Sequence, residues 1–391
     1  MKLYGYAGKA LRIDLSRGKV IEEELKPDLL KLYLGGTGYA ARILWDELEK
    51  GIDPLGPENL LIACTGPLTG TLTPSSGSVE FCFKSPLTGI FGQSRAGGKF
   101  GPKLKYAGYD FLIIAGISEK PVYLNIHDGG AEIRDASHLW GKTVHETSKI
   151  LLDEVGNPDA SIACIGPGGE RLIKFANIMV DFDRAAGRCG GGAVMGSKKL
   201  KAIVVDGSRG IEAAKPEEFY EAAMEALRAL GVRSSESLGR YGTLGGLLGL
   251  NESGALPTKN FQTCYYEKAE KFSGEELARR YLLKRRACPS CPIGCGRYVW
   301  VPGEDYSTPP HEGAEYETID MLGVQSMLGD MRPAIKMGYL CNIYGIDTIS
   351  AGNSIAFAIE AFERGLISEE DTGGIRLSWG DAEACLALLE M

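Results

Sequence analysis

Between residues 10 and 205, apolar positions come in short runs separated by glycine-rich turns, the pattern of many small strands. Ala10 to Leu15 alternates apolar and polar, Ser16-Arg17-Gly18 turns, and Lys19 to Glu22 returns, which predicts a β-hairpin. An amphipathic helix is expected over 27–34, then a flexible Gly35-Gly36-Thr37-Gly38 and a second helix over 40–49. Further strands are predicted at 60–64, 78–83, 111–115, 122–127, 161–165 and 202–205. Gly166-Pro167-Gly168-Gly169-Glu170 follows a strand but lacks a full G-x-G-x-x-G and reads as a turn.

Past Asp206-Gly207-Ser208-Arg209-Gly210 the period changes to that of helices, expected over 216–230, 273–285, 332–344, 350–364 and 382–391. The fold class is therefore α+β: a β-rich first domain over 1–212 and a mainly helical second domain over 213–391. No internal repeat is visible in the residues. The final helix stops at Met391 with neither a glycine nor a basic last turn, as if a further domain were missing.

Composition narrows the function. The chain has 391 residues, 44% of them hydrophobic, which excludes wholesale disorder. With 43 Lys and Arg against 51 Asp and Glu, the net charge of −8 gives no electrostatic reason to expect nucleic acid or an anionic membrane as partner. No signal-peptide pattern and no bilayer-length apolar run is present, so a cytoplasmic location is the default expectation.

Of the ten cysteines, Cys288, Cys291 and Cys295 stand out. They form a C-x2-C-x3-C run stiffened by Pro289 and Pro292, loosened by Gly294 and Gly296, and preceded by Lys284, Arg285 and Arg286. Three thiolates this close converge readily on one soft centre, and the cations offset their charge. An iron–sulfur cluster is the leading reading. Zinc stays open, with His311 as the nearest further ligand, and so do plain buried thiols. The spacing is the reverse of the C-x3-C-x2-C of radical enzymes using S-adenosylmethionine, which argues against that class.

The stretch from Cys288 to Arg297 resembles the cluster motif of the aldehyde ferredoxin oxidoreductases. Segments along the whole chain agree, among them Gly66-Pro67-Leu68-Thr69-Gly70, Ala107-Gly108-Tyr109-Asp110, Arg184-Ala185-Ala186-Gly187-Arg188, Lys259-Asn260-Phe261-Gln262 and Gly345-Ile346-Asp347-Thr348. The resemblance implies a tungsten (or molybdenum) bis-pterin cofactor, a [4Fe–4S] cluster, and a magnesium ion bridging the pterin phosphates. It implies oxidation of a small aldehyde to a carboxylic acid, with ferredoxin or a similar iron–sulfur protein as acceptor. The two sheets of the first domain would form the base under the cofactor, and the third domain would be absent. A tungsten-dependent reductase of the benzoyl-CoA reductase type and a non-catalytic, truncated cluster-binding fragment are the alternatives.

Residue by residue, the resemblance places pterin phosphates at two glycine–arginine loops. One carries Arg95 and Gly97; the other carries Arg184, Ala185, Gly187 and Arg188. The Arg95 and Ala185 carbonyls would hold the magnesium. Asn342, Ile346 and Asp347 match the pterin-gripping D-x-x-G-L-D motif, with Asn342 replacing its first acid. Glu317 matches an acidic residue beside the metal and would move the proton released in the reaction, whereas from the residues alone a surface carboxylate is the expectation. Ser78 stands where the family often has an arginine between pterin and cluster. The family's E-x-x-H iron site becomes Lys336-Met337-Gly338-Tyr339, which has no iron ligands, so a homodimer or partner subunit would have to associate without that metal.

Overall fold

The computed structural model describes residues 3–391, with the backbone alone at 231–235. Two compact units emerge. The first comprises residues 3–229 with Cys288–Pro292 and Ile343–Ile346; the second comprises Leu230–Ala287, Ile293–Asn342 and Asp347–Met391.

In the first unit, strands β1 (Lys9–Asp14), β2 (Lys19–Glu24), β3 (Leu61–Cys64), β4 (Val79–Lys84), β5 (Phe91–Ala96) and β6 (Phe111–Ala115) form one sheet, ordered β2-β1-β6-β3-β4-β5. Strands β7 (Val122–His127), β8 (Gly130–Asp135), β9 (Ser161–Cys164), β10 (Ile178–Val180), β11 (Arg184–Ala186) and β12 (Leu200–Asp206) form a second, ordered β8-β7-β12-β9-β10-β11. These are the same topology six strands apart. Each sheet has one parallel pair, β1 with β6 and β7 with β12, and each ends on its fifth strand. The repeat escapes the sequence because it is one of topology: the Lys9–Asp14 and Val122–His127 strands share, place for place, only Leu11 with Leu124 and Ile13 with Ile126.

The layers follow from which face each side chain takes. Leu11, Ile13, Phe81, Phe83, Leu112 and Ile114 of the first sheet share one buried core with Leu124, Ile126, Ile203 and Val205 of the second. The outer faces are also covered. Ile62, Cys64, Phe111 and Ile113 pack on Tyr39, Ala40, Ile43 and Leu44 of helix Gly36–Glu47. Tyr123, Ile162, Cys164 and Val204 pack with Val144 and Leu151 of helix Val144–Val155. Two-sided burial explains why Phe111–Ala115 reads as a continuous apolar run. Beneath it, the fully buried Lys105 donates to the Gly66 carbonyl at 2.9 Å and pairs with Asp110 at 3.6 Å. Burial pulls the Lys105 pKa down to about 8.

Several expectations are corrected. Gly36–Gly38 form the first turn of helix Gly36–Glu47 rather than a flexible link. Gln93-Ser94-Arg95 and Arg184-Ala185 lie in edge strands, leaving only Gly97–Gly98 and the residues after Ala186 as loop. Gly166–Glu170 contains a helical turn, Pro167–Glu170. Helix Val144–Val155, which the apolar pattern did not reveal, is announced by a Thr143–Glu146 capping box and the left-handed Gly156 at its end.

The second unit contains helices Gly231–Tyr241, Gly274–Arg280, Thr348–Glu363 and Ala382–Glu390, and most of Arg332–Tyr344. It also holds a three-stranded antiparallel sheet of β13 (Leu282–Arg286), β14 (Gly296–Val299) and β15 (His311–Glu312). The helix expected through 285 therefore stops at Arg280, because Lys284, Arg285 and Arg286 pair with Tyr298, Arg297 and Gly296. Among the described residues no helix is long and apolar enough to cross a membrane.

Backbone touches backbone where helix Gly191–Ser197 crosses the turn Pro167–Glu170. A Cβ on Gly196 would lie 2.0 Å from the Gly169 carbonyl oxygen. Gly196→Ala is expected to destabilise the chain by about 1–3 kcal/mol in urea unfolding. Gly210→Ala, with nothing within 4 Å of its Cβ, is expected to leave the transition unmoved.

Candidate functional site

The two edge strands β5 and β11 bring the two glycine–arginine loops together. The Arg188 N–H donates to Ser94 Oγ at 3.1 Å. The Arg184 side chain lies alongside Gly97, its Nη1 4.0 Å from where a Cβ would stand. Arg95 and Arg184 occupy β5 and β11, the same place in each half of the repeat, and each strand runs into glycines. Ala185 and Arg188 are exposed, and Gly97, Arg184 and Gly187 are half-buried. Arg95 is committed elsewhere: its Nε donates to Glu80, which also accepts from Gln93 Nε2 at 3.0 Å. The nearby cavity, of about 420 Å³, is lined by hydroxyls including Thr65, Thr69, Ser75 and Ser78, and by Glu80 and Arg95.

The cysteine run is shared between the units. Cys288 and Cys291 belong to the first, where Gly98 N–H points at Cys288 Sγ (3.5 Å) and Ser75 Oγ at Cys291 Sγ (3.4 Å). Ser290 carries its loop onto the 71–75 turn, its Oγ donating to the Thr71 carbonyl at 3.0 Å and its carbonyl accepting from Ser75 N–H at 2.9 Å. Gly97 is required here, since a Cβ would sit 2.7 Å from Cys288 Sγ.

Cys295 belongs to the second unit, in a turn organised by Arg297. That guanidinium, 1% exposed, donates to the carbonyls of Gly239, Arg240, Gly294, Cys295 and Gly296 at 2.5–3.1 Å. Lys284 and Arg286 lie over the Tyr298 ring at 5.1 and 5.7 Å, and Arg285 donates to the Ile293 carbonyl at 2.9 Å. None of the three cysteines is in a disulfide. Among the described residues, no three His, Cys, Asp or Glu side chains stand as a ready-made single-ion site.

The remaining candidates divide. Ile346 is buried in the first unit, where it bridges to Ala176 and rests on Gly168, and the Gly345 carbonyl accepts from Asn177 N–H at 3.0 Å. In the second unit the Asn342 Nδ2 lies 3.4 Å from the Glu312 carbonyl. Asp347 caps helix Thr348–Glu363, taking the N–H groups of Ile349 and Ser350 at 3.1 Å each. The Asp-x-x-Ser spacing at 347–350 was a legible cap signal. His311 is buried, its Nδ1 2.9 Å from the Pro309 carbonyl.

Glu317 is exposed. The buried acid of this stretch is one the sequence did not single out, Asp320, which is 0% exposed. Burial raises its pKa to about 7; the Tyr316 hydroxyl, donating at 3.1 Å, opposes the shift and the Glu317 charge adds to it. Its only sequence signal is an acid inside the apolar run Ile319-Asp320-Met321-Leu322.

The family profile described as aldehyde ferredoxin oxidoreductase, N-terminal domain, matches residues 10–207, and that for domains 2 and 3 matches 218–391. The tungsten-containing aldehyde ferredoxin oxidoreductase of Pyrococcus abyssi is 45% identical over 95% of this chain and 61% of its own length. The WOR-like subunit of an aliphatic sulfonate oxidoreductase from Pyrococcus furiosus is 36% identical over 100% of this chain and 64% of its own. A chain in the BamBC active-site complex of benzoyl coenzyme A reductase, solved with 1,5-dienoyl-CoA, superposes with a TM-score of 0.88 at 30% identity, covering 99% of this chain and 60% of that one. The chain thus spans about three fifths of the length of the relatives it matches.

Asp320 carries a stability signature. Its folded pKa lies above the unfolded value, so its proton stabilises the fold fully below about pH 4, and that contribution is lost as pH rises through about 7. Asp320→Asn removes this slope. The variant is expected to melt above wild type at pH 8, by up to about 4 kcal/mol, with the gap closing toward pH 4. Thermal melts across that range check it.

Proposed function

The chain belongs to the aldehyde ferredoxin oxidoreductase family, and on that basis we propose a tungsten-pterin oxidoreductase that converts aldehydes to carboxylic acids and hands the electrons to ferredoxin or a similar iron–sulfur protein. The observation that carries the reading is the duplicated sheet, whose two halves each deliver an arginine and following glycines to one place. A ligand with two like phosphate-bearing halves fits that arrangement.

In this reading the bis-pterin metal supplies the two-electron chemistry at the aldehyde carbon. The protein's contribution is placement. Backbone N–H groups at Gly97 and Gly187, with Arg184 and Arg188, would hold the phosphate ends, and the carbonyls of Arg95 and Ala185 would be the ligands for magnesium. Ile346 keeps the 343–346 segment against Gly168, and by the family resemblance Asn342 and the helix-capping Asp347 would accept from pterin donors with the lone pairs left to them. Cys288, Cys291 and Cys295 hold a [4Fe–4S] cluster. Those three thiols would be its sulfur ligands, and the N–H and O–H groups aimed at Cys288 and Cys291 suit cluster thiolates. By the family resemblance Ser78 would present a hydroxyl where an arginine often stands. Glu317 moves the proton released as water adds to the aldehyde. The higher identity to the aldehyde enzymes than to the benzoyl-CoA reductase chain favours oxidation over the low-potential reductive alternative.

Metal analysis of protein purified anaerobically from its native host tests this first. Roughly four irons per tungsten or molybdenum are expected. Zinc alone, or no metal, would sink the reading. Gly97→Ala, which pushes on Cys288 Sγ, is expected to lower iron per chain by about half or more, because a displaced thiolate weakens cluster retention. Gly210→Ala should leave the iron content intact.

A further inference from the structure

Asp320 opens a turn of π-helix, closed by Gln325 N–H to the Asp320 carbonyl at 2.9 Å and Leu328 N–H to the Gly323 carbonyl at 3.0 Å. Such turns concentrate at functional positions. The side chain has no exposed surface. Oδ2 accepts from Tyr316, and Oδ1 has no hydrogen-bond partner; neither does the buried Gln325 Nε2, one π-turn further on. Unpaired buried polar atoms of this kind are commonly served by internal water. Glu317 lies three residues before Asp320, on the same helical face but exposed.

We propose that Asp320 and Glu317 form a proton relay, in which the buried Asp320 carboxylate takes up a proton from the interior of this unit and Glu317 exchanges it with solvent. The proposal rests on the oxidative reading for its purpose. When RCHO and water become RCO2H, a C–H and an O–H bond break and a C–O bond forms. Two electrons leave to the iron–sulfur acceptor and two protons must leave the site; one passes through Asp320. A carboxyl that titrates near neutrality loads and unloads readily.

The surroundings leave this pair as the local titrating system. Helix Thr348–Glu363 presents Gly352 to the Met321 backbone and the Thr348 hydroxyl to Thr318 at 3.0 Å. Its capping Asp347 is bound to its own helix, Glu360 to Asn260 and Arg364, and Glu363 to Lys259. The turn Ala269–Phe272 presents Phe272 to Gly323, while its Glu270 and Lys271 are exposed.

The test is an infrared titration of the anaerobic holoenzyme, with the Asp320 band assigned by its shift in Asp320→Glu and its loss in Asp320→Asn. The relay requires a protonated-carboxyl band that titrates near neutral pH and moves to lower pH in Glu317→Gln. It also requires that Asp320→Asn lower kcat for viologen-coupled aldehyde oxidation about tenfold or more and change its pH profile, with partial recovery in Asp320→Glu. A band unmoved by Glu317→Gln, or an Asp320→Asn enzyme with the wild-type pH profile, overturns the relay and leaves Asp320 a structural acid. In an enzyme that oxidises no aldehyde the kcat requirement falls away with the oxidative reading, and a titrating band that moves in Glu317→Gln upholds the proton exchange between Asp320 and Glu317 while refuting that reading. Should Asp320→Asn fail to fold, the Glu317→Gln shift decides alone.

Discussion

Each half of the first unit has to end on an edge strand, and the arrangement of that unit follows from the two edges meeting. An unpaired edge presents a row of backbone donors and acceptors that folded proteins cover, close or pair. Here β5 and β11 are brought alongside, with Ser94 Oγ receiving the Arg188 N–H and Arg184 lying against Gly97. The contact is sustained from below by backbone packing. Gly192 comes so close to the Asn177 carbonyl that a Cβ would lie 2.2 Å away, and Gly196 approaches Gly169 equally tightly. Side chains at those places would lift helix Gly191–Ser197 away from β10 and separate the loops. The duplicated topology thus lets two open edges partly cover one another.

In the second unit the corresponding organiser is a single buried charge. The Arg297 guanidinium is desolvated and its pKa is lowered by burial and by the neighbouring Arg285. Five carbonyl acceptors replace the water it has lost, three of them on the turn Gly294-Cys295-Gly296. Removing a buried cation of this kind leaves those carbonyls unsatisfied, a penalty well above the net value of any one bond. Arg297 therefore positions Cys295 without touching its sulfur, just as Gly97, Gly98 and Ser75 position Cys288 and Cys291 in the first unit.

What the sequence showed and what it hid follow from how local each signal is. The 111–115 and 122–127 strands, helix Arg332–Tyr344 and the cysteine run are set by short patterns, and they stand where expected. The strand Leu282–Arg286 is hidden because its partner Gly296–Val299 lies beyond the cysteines, and its own residues are good helix formers. Strands β5 and β11 are hidden because neither Phe91–Ala96 nor Arg184–Ala186 carries β-branched residues or a long apolar alternation, and their pairing decides what their composition does not. The repeat is hidden for a stronger reason: strand order is a property of long-range pairing, on which the residues of either half are silent.

The candidate site shows the same division between chemistry and place. The family resemblance placed an anion-binding role at the loop that carries Arg95, yet the Arg95 guanidinium is bound to Glu80, whose carboxylate is held nearly buried between Gln93 and Arg95. That pair leaves little net charge on the β5 side. Any anion at the paired edges then draws its positive field from Arg184, Arg188 and the backbone N–H groups of the glycine turns, so the two halves of the repeat are alike in shape and unlike in charge. A symmetric ligand held there would experience an asymmetric field. The two halves thus share a single strand order and yet present different electrostatic fields at the edges where they meet.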